Sequence, residues 1–416
     1  MTTQNLTRNI LIGMTLGAAV GGAFNAIGID QPVVAFFVKD LFPLVGSIFV
    51  RSLQLLVVPL VLCSLICGTA ALDDVRRLGR IGAKTVALYL VTTAVAIAMA
   101  ITLAVLFKPG EGFALDYTSD FKVAESPPLT QVLLDIFPSN PFKAMAEGNM
   151  LQVIVFAILF GLATCLSGAP GKRVLAVVSD LNEIVLKLVT ILLLAAPFGV
   201  FALVGRTLAQ EGFAAILALG QYFFLVLAAL LVQLFVVYGL LVRVMAGLSP
   251  WRFFRKMRRV QLFAFSTASS NATLPLNLEN AEREMGIKPA VGSFTIPLGA
   301  TINMDGTAIM QGVATVFIAQ ALGIDIGLQG YLMVILTATL ASVGTAGVPG
   351  VGLVMLAMVF QQVGLPVAAI GVIYGVDRLL DMVRTAVNVT GDVAVSAIIA
   401  KSENEFDADV YNRDLA

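Results

Sequence analysis

Histidine is absent from all 416 residues, and cysteine, with three copies, and tryptophan, with one, are nearly so. Without histidine there is no usual zinc ligand, no Ser-His or Cys-His nucleophile and no histidine proton relay. Cys63 and Cys67 fall four apart on one helical face, a spacing that suits small apolar packing better than a metal or disulfide. Charge is scarce too: 12% of residues are charged, with 26 basic and 26 acidic side chains and zero net charge. The basic residues are dispersed in short groups rather than pooled, which argues against a nucleic-acid partner.

What is abundant is apolar surface. The chain is 58% hydrophobic with a mean hydropathy of +0.94, outside the range of soluble domains. Apolar runs long enough to cross a bilayer occur at 10–28, 42–72, 81–107, 174–205, 214–246, 289–319 and 367–400, and a broken run at 128–168 makes eight. The first run is too long for a signal-peptide core and lacks a small-residue cleavage site, so it reads as a permanent helix. Arg8, then Arg76, Arg77, Arg80 and Lys84, then Lys172 and Arg173, then Arg243, Arg252, Arg255, Lys256, Arg258 and Arg259 fall at the start and in every second loop. The intervening loops near 29–41, 108–127 and 206–213 carry few. That alternation places both termini in the cytoplasm. The segment from Lys401 to Ala416 is polar and acidic and reads as a disordered cytoplasmic tail.

Three interruptions fall close together in the C-terminal half. Phe263 to Pro275 has an apolar entry, a Ser/Thr-rich centre and a proline exit, and is too short to cross twice. The region 330–365 repeats the plan from the opposite side around Ala341 to Gly350. Between them, Gly299 to Thr307 puts Asn303 and Asp305 in mid-span beside two glycines. A Ser/Thr packing seam and a Gly-Pro kink would explain the first two separately. Irregular backbone at membrane depth survives where it is buried in protein or lines a cavity, and paired interrupted segments point to a transporter's midplane site. The two tips are expected to meet there.

The last run carries Asp377, Asp381, Arg384, Asn388 and Asp392, which fall within roughly 80° of one another around a helix axis. Each charge at a bilayer centre costs about 2.5–3.5 kcal/mol when unpaired, so this stripe must face partners, water or ligand. Asp305, Asp377, Asp381 and Asp392 outnumber Arg378 and Arg384. A bound cation, or protonation of the aspartates, would balance them; the surrounding amides, hydroxyls and carbonyls suit sodium.

At these residues the chain resembles the dicarboxylate/amino acid:cation symporter family, which includes archaeal aspartate transporters and animal excitatory amino acid transporters. The resemblance rests on Asn303-Met-Asp-Gly-Thr307, Gly344-Thr-Ala-Gly-Val-Pro-Gly350, Ala272-Thr-Leu-Pro275 and Asp381-Met-Val-Arg-Thr-Ala-Val-Asn-Val-Thr-Gly-Asp392. Weaker pieces are Pro138 to Phe142, Ala196 to Ala202 and Tyr89 to Thr93. It implies an all-α polytopic membrane protein of eight transmembrane helices and two re-entrant hairpins, with inverted repeats. It also implies a homotrimer in the bilayer. Residues 1–80 and 111–212 would be scaffold. Residues 81–110 and 213–400 would move as an elevator, and 401–416 would be the tail.

By the same resemblance, Asp381 would take a substrate amino group and Arg384 its side-chain carboxylate, the latter through a bidentate contact. Thr307 and Asn388 would add hydrogen bonds, Thr385 would support the helix face, and Ser270 and Gly352 would close the tips. Sodium would use Gly299, Asn303, Asn388 and Asp392; Thr301, Met304, Ser342, Val343 and Thr345; and Tyr89, Thr92, Thr93, Asn303 and Asp305. The family's additional arginine has no counterpart at Ala268 or Met382; Arg378 either substitutes by reaching Asp381, the favoured expectation, or faces the scaffold and takes no part in the site.

The reading is therefore sodium-coupled symport of L-aspartate or L-glutamate across a prokaryotic inner membrane, with no enzymatic activity. Proton-coupled transport of glutamate or a C4-dicarboxylate is the alternative. An ion channel is a more distant one, since the tips lack a repeated carbonyl filter. Intramembrane proteolysis fits poorly, because two arginines beside the aspartates oppose a shared proton.

Overall fold

The computed structural model describes residues 3–70, 75–113, 137–147, 149–343, 345, 347 and 349–413. Every regular element among them is helical. The longer helices are α1 (Thr3–Ile27), α2 (Phe42–Ala70), α3 (Val75–Phe107), α4 (Met150–Leu166), α5 (Ala169–Leu193), α6 (Ala196–Glu211) and α7 (Phe213–Leu231). The short α8 (Tyr238–Met245) leads to α9 (Pro250–Thr267), α10 (Ser270–Arg283), α11 (Pro289–Ile302), α12 (Asp305–Ala321), α13 (Gly327–Ser342), α14 (Val351–Gln362), α15 (Ile370–Ser402) and α16 (Ala408–Asn412).

Five of the described helical stretches are long and apolar enough to cross a membrane, or six when α5 and α6 count as one bent span. The run expected at 174–205 is therefore not one straight helix: it bends by 51° after Leu193. Pro197 explains the bend, because it lacks the N–H that a continuous helix would need there. The run expected at 289–319 parts at Asn303 and Met304, as its glycines and polar residues suggested. Residues 128–136 of the fourth run, the loop at 114–127 and Gly344, Ala346 and Val348 of the second tip lie outside the described residues.

The helices form two packing groups. In the first, α1 lies along α6, and α2 packs on α4, α5 and α6. The α1–α6 contact is backbone to backbone: a Cβ on Gly13, Gly17 or Gly21 would lie 2.4, 2.5 or 2.3 Å from the carbonyl oxygen of Pro197, Phe201 or Gly205. Glycines four apart thus let two apolar helices approach without a side chain between them. In the second group, α15 is the centre, touched by α9, α10, α11, α12 and α3, and buried from Val387 to Ala400.

Two hairpins belong to this second group. The first joins α9 to α10 through Ala268, whose φ of 49° is left-handed, and Ser269, whose side chain accepts from Ala272 N. Pro275 does not end the segment as expected; it sits inside α10. The second hairpin joins α13 to α14, and α14 packs on α2 and α4 of the first group.

Residues 401–413 are ordered, contrary to the expected loose tail. Tyr411 is buried and donates to Ser249 O at 2.7 Å, and Asp407 N donates to Gly286 O at 2.7 Å. Lys256 Nζ donates to Glu284 O and Val410 O at 2.8 and 3.0 Å, and Lys401 lies over the Phe406 ring. Two aromatic side chains and a lysine give this polar segment enough to dock.

Candidate functional site

The two hairpin tips meet at Gly347. Ser269 Oγ donates to Gly347 O at 2.8 Å and Asn271 N to the same oxygen at 3.2 Å. A Cβ on Gly347 would lie 2.9 Å from Ser270 Cβ and 3.2 Å from Ala300 O, so the second tip rests on both the first tip and the end of α11. Three chain breaks that are distant in sequence thereby share one place.

Beside them the polar face of α15 is wholly buried, with Arg384 at 0%, Asp392 at 1%, Asp377 at 3% and Asp381 at 8% exposure. Arg384 donates both arms of its guanidinium to Asp377, with Nη2–Oδ2 at 3.2 Å, and Nη2 also donates to Asp381 Oδ1 at 2.9 Å. Arg378 Nη1 reaches Asp381 Oδ2 at 3.3 Å, as expected. Gly350 N donates to the same oxygen at 3.3 Å, bringing the second hairpin onto this cluster. A Cβ on Gly352 would lie 3.1 Å from Thr307 and 3.4 Å from Arg384 Nη2, so Thr307, Gly352, Asp381 and Arg384 converge. Thr385 donates back to Asp381 O within its own helix.

A second polar cluster lies deeper. Asn303 Nδ2 bridges Asn388 O and Asp392 Oδ1 at 3.0 and 2.9 Å, and Asn388 Oδ1 accepts from Gly306 N at 2.7 Å. Asn388 Nδ2 lies 3.3 Å from Met304 Sδ. Gly299 has room for no side chain, because its Cβ would meet Tyr89 Oη at 2.5 Å and Asp392 Oδ1 at 2.6 Å. Tyr89 Oη donates to Thr295 O at 3.0 Å. Asp305 Oδ1 accepts from Thr93 at 2.6 Å and lies at the limit of a bond from Thr92.

Sequence reasoning missed two partners of Asp305. Gln233 Nε2 and Tyr238 Oη both donate to its Oδ2, at 2.9 and 2.8 Å. Gln233 sits in a turn of π-helix, Val232–Val237, which interrupts an otherwise apolar run. A glutamine within that run was the available signal, but periodicity alone could not aim it at Asp305.

The third group of predicted residues is less convergent. Thr301, Ser342 and Thr345 each donate to a carbonyl of the preceding turn, to Leu298, Thr339 and Ala341. Val343 leaves the helix with an extended backbone at the start of the second tip. Ser270 is buried against Gly347.

Two facts bear on what the deeper cluster can hold. Asp305 and Asp392 have no basic partner among the described residues. The buried oxygens Asn303 Oδ1 and Gln233 Oε1 accept no hydrogen bond. Carboxylates and unsatisfied amide oxygens in one apolar interior are acceptors in want of a cation or donor.

The family model for the sodium:dicarboxylate symporter family matches residues 6–402. The chain belongs to that family. Among its relatives is a proton/glutamate-aspartate symporter of Escherichia coli, 36% identical over 99% of this chain and 96% of its own length. A proton/sodium-glutamate symport protein of Bacillus subtilis is 33% identical over 96% of this chain and 93% of its own. A C4-dicarboxylate transport protein of Rhodospirillum rubrum is 33% identical over 98% and 90%. This is accordingly an integral membrane protein of a family of symporters, which are carriers rather than enzymes.

Proposed function

We propose that the chain is a sodium-coupled symporter of an acidic amino acid, L-aspartate or L-glutamate, in a bacterial inner membrane. The observation that carries this reading is the side-by-side placement of a charge-balanced cluster and a cation-poor acidic one. In the first, Asp377 and Asp381 offset Arg378 and Arg384. A substrate carboxylate would take over part of the Arg384 fork, and an amino group would compete with Arg378 for Asp381. An amino-dicarboxylate brings a net charge of one minus into this neutral setting; a C4-dicarboxylate brings two and offers Asp381 nothing. Breaking a buried charge pair without replacement costs about 3–5 kcal/mol, a few hundred-fold or more in affinity.

Sodium would enter as co-transported cargo beside Asp305 and Asp392. The unsatisfied oxygens Asn303 Oδ1 and Gln233 Oε1 favour a metal cation over a proton, since one cation is shared by several oxygens whereas a proton on an aspartate donates to a single one. The proton-coupled reading draws on two relatives' names, and the same aspartates would carry it. The groups assigned by resemblance to the remaining sodium position, Thr301, Met304, Ser342, Val343 and Thr345, stay part of the proposal.

The division into packing groups supports a fixed scaffold and a moving body, with eight crossings and two re-entrant hairpins. The buried stretch Val351–Phe360 of the second hairpin rests on the scaffold group, whereas Leu262, Phe263 and Phe265 of the first are exposed. With both termini cytoplasmic, that asymmetry favours an inward-facing arrangement. On α5, Val174, Val177, Leu181, Ile184, Leu188 and Ile191 are exposed at alternating spacings of three and four, beside exposed Asp180, Glu183 and Lys187. An apolar seam of this period flanked by charges suits packing against other copies, as in a homotrimer.

Uptake of radiolabelled L-aspartate into liposomes, with a sodium gradient and then with choline plus a proton gradient, tests the reading. Uptake that requires sodium supports it; equal uptake on protons alone overturns sodium coupling. Succinate competing as well as L-glutamate would overturn the amino-acid assignment.

A further inference from the structure

The first hairpin carries a second charged feature, at the opposite end from its tip. α9 places Arg252, Arg255, Lys256, Arg258 and Arg259 within eight residues. Two of these are committed. Arg252 donates to Asn412 at 2.7 Å, and Lys256 is buried on the carbonyls of Glu284 and Val410. Arg255, Arg258 and Arg259 are exposed, and no carboxylate among the described residues lies within ion-pair reach of them.

These three arginines line a cleft of about 750 Å³ between α9 and α10, with Arg283 on the facing arm and Leu262 and Leu276 at the end toward the tip. Arg283 is held at 3.5 Å by Glu279. Glu279 and Glu284 line the cleft too, but they pair with Arg283 and, at 3.8 Å, with Lys256, so the mouth keeps these three arginines as its net charge and the inner end is apolar. Trp251, Arg255, Arg258 and Leu262 also fall at i, i+4, i+7 and i+11, within about 60° of one another on one face of α9. Along that face an exposed tryptophan (79%) comes first, then arginines, then an exposed leucine (66%). Tryptophan favours the headgroup level of a bilayer, and arginine matches a phosphate with its two-pronged fork.

We propose that this cleft binds the phosphate headgroup of an anionic phospholipid, with the lipid's acyl portion against Leu262 and Leu276. The alternation of basic loops along the chain puts the cleft on the cytoplasmic side, where anionic headgroups attract basic segments. A soluble phosphate would use the arginines but leave the apolar end and Trp251 without a role. Because Arg283 stands on the other arm, a bound headgroup would bridge both arms of the hairpin away from the site at its tip.

The test is lipid retention by the purified full-length protein, measured by native mass spectrometry with phosphatidylglycerol and, separately, phosphatidylcholine. Each arginine near an anionic surface contributes roughly a fivefold factor, so R255Q/R258Q/R259Q is expected to lose on the order of a hundred-fold in phosphatidylglycerol retention. Phosphatidylcholine retention should not move, and neither should K172Q/R173Q, which removes charge from another loop. R258Q alone, a single change at an exposed residue, should lose about fivefold. Unchanged phosphatidylglycerol retention in R258Q and the triple variant overturns the site. Displacement of phosphatidylglycerol by inorganic phosphate alone overturns the lipid assignment and leaves a phosphate site.

Discussion

Arg384 is fully buried and gives both arms of its guanidinium to Asp377, seven residues earlier on the same helix, while one arm also reaches Asp381. The residue best suited to hold a substrate carboxylate thus already holds a carboxylate of its own chain. On the proposed reading, substrate binding at this position would be an exchange of one carboxylate for another rather than the filling of a vacant charge, so the free energy of Asp377 release would enter the affinity.

Replacing Asp377 by Asn should therefore weaken the protein without ligand more than the protein with it. The expected outcome is a lower melting temperature for the substrate-free variant, with a larger upward shift on adding L-aspartate than wild type shows. Calorimetry or nano-scanning fluorimetry would check it; an unchanged ligand shift would mean Asp377 does not compete for Arg384.

Arg384→Cys removes the fork altogether. Uptake of acidic amino acids should fall by a few hundred-fold or more, by about 3–5 kcal/mol for an unreplaced buried charge pair, while small neutral amino acids are tolerated. Competition assays with L-serine and L-aspartate would separate this from misfolding, since a misfolded carrier takes up neither.

Asp305→Asn and Gln233→Leu address the deeper cluster. Asp305 collects donors from Thr93, Gln233 and Tyr238, and Gln233 keeps one oxygen unsatisfied. Both variants should raise the sodium concentration needed for half-maximal uptake, by at least tenfold for Asp305→Asn and by less for Gln233→Leu. Sodium titration of initial uptake rates reads this directly. An unchanged titration in both would place the cation elsewhere.

Glu403 ties the end of α15 to the start of α3. It accepts from Lys84 at 2.6 Å and from Arg80, and its side chain is only 5% exposed. The Lys84 hydrogen bond, with Arg80 behind it, holds the Glu403 carboxyl below its ordinary value of 4.5. A carboxylate with a lowered folded pKa stabilises above its unfolded pKa, and the contribution disappears as pH falls through the folded value. Hydrogen exchange over residues 403–412, corrected for the intrinsic pH dependence of amide exchange, should therefore be unchanged between pH 6 and 8 and rise only in acid. Glu403→Gln should show the raised exchange already at neutral pH.

Gly17→Val tests the close crossing of α1 and α6. A Cβ there would lie 2.5 Å from Phe201 O, so the helices must part. A loss of about 1–3 kcal/mol is expected, seen as a lower melting temperature, whereas Gly22→Val, which meets nothing within 4 Å, should be near neutral.

Much of this was legible in the chain itself. The scarcity of charge and the long apolar runs determined that the protein lives in a membrane, because nothing else pays the exposure of so much apolar surface. The three interruptions, at 263–275, 299–307 and 341–350, announced where irregular backbone would gather. The spacing of Asp377, Asp381, Arg384, Asn388 and Asp392 determined that they share a helix face, since a 3.6-residue period leaves no choice.

Only the tertiary structure decided who pairs with whom. A helical period cannot say whether Arg384 turns to Asp377 or to a ligand, nor that Gln233, far away on a π-helical turn, ends on Asp305. It could not show that Tyr411 and Lys256 dock a segment whose composition reads as disordered. The bend between α5 and α6 escaped the hydropathy reading because apolar residues run through it unbroken, although Pro197 marked the place. Local periodicity and composition are properties of neighbours along the chain. Pairing is settled by which helices approach closely enough, and here that depends on glycines such as Gly17, Gly299 and Gly347, whose missing side chains leave room for the contacts to form.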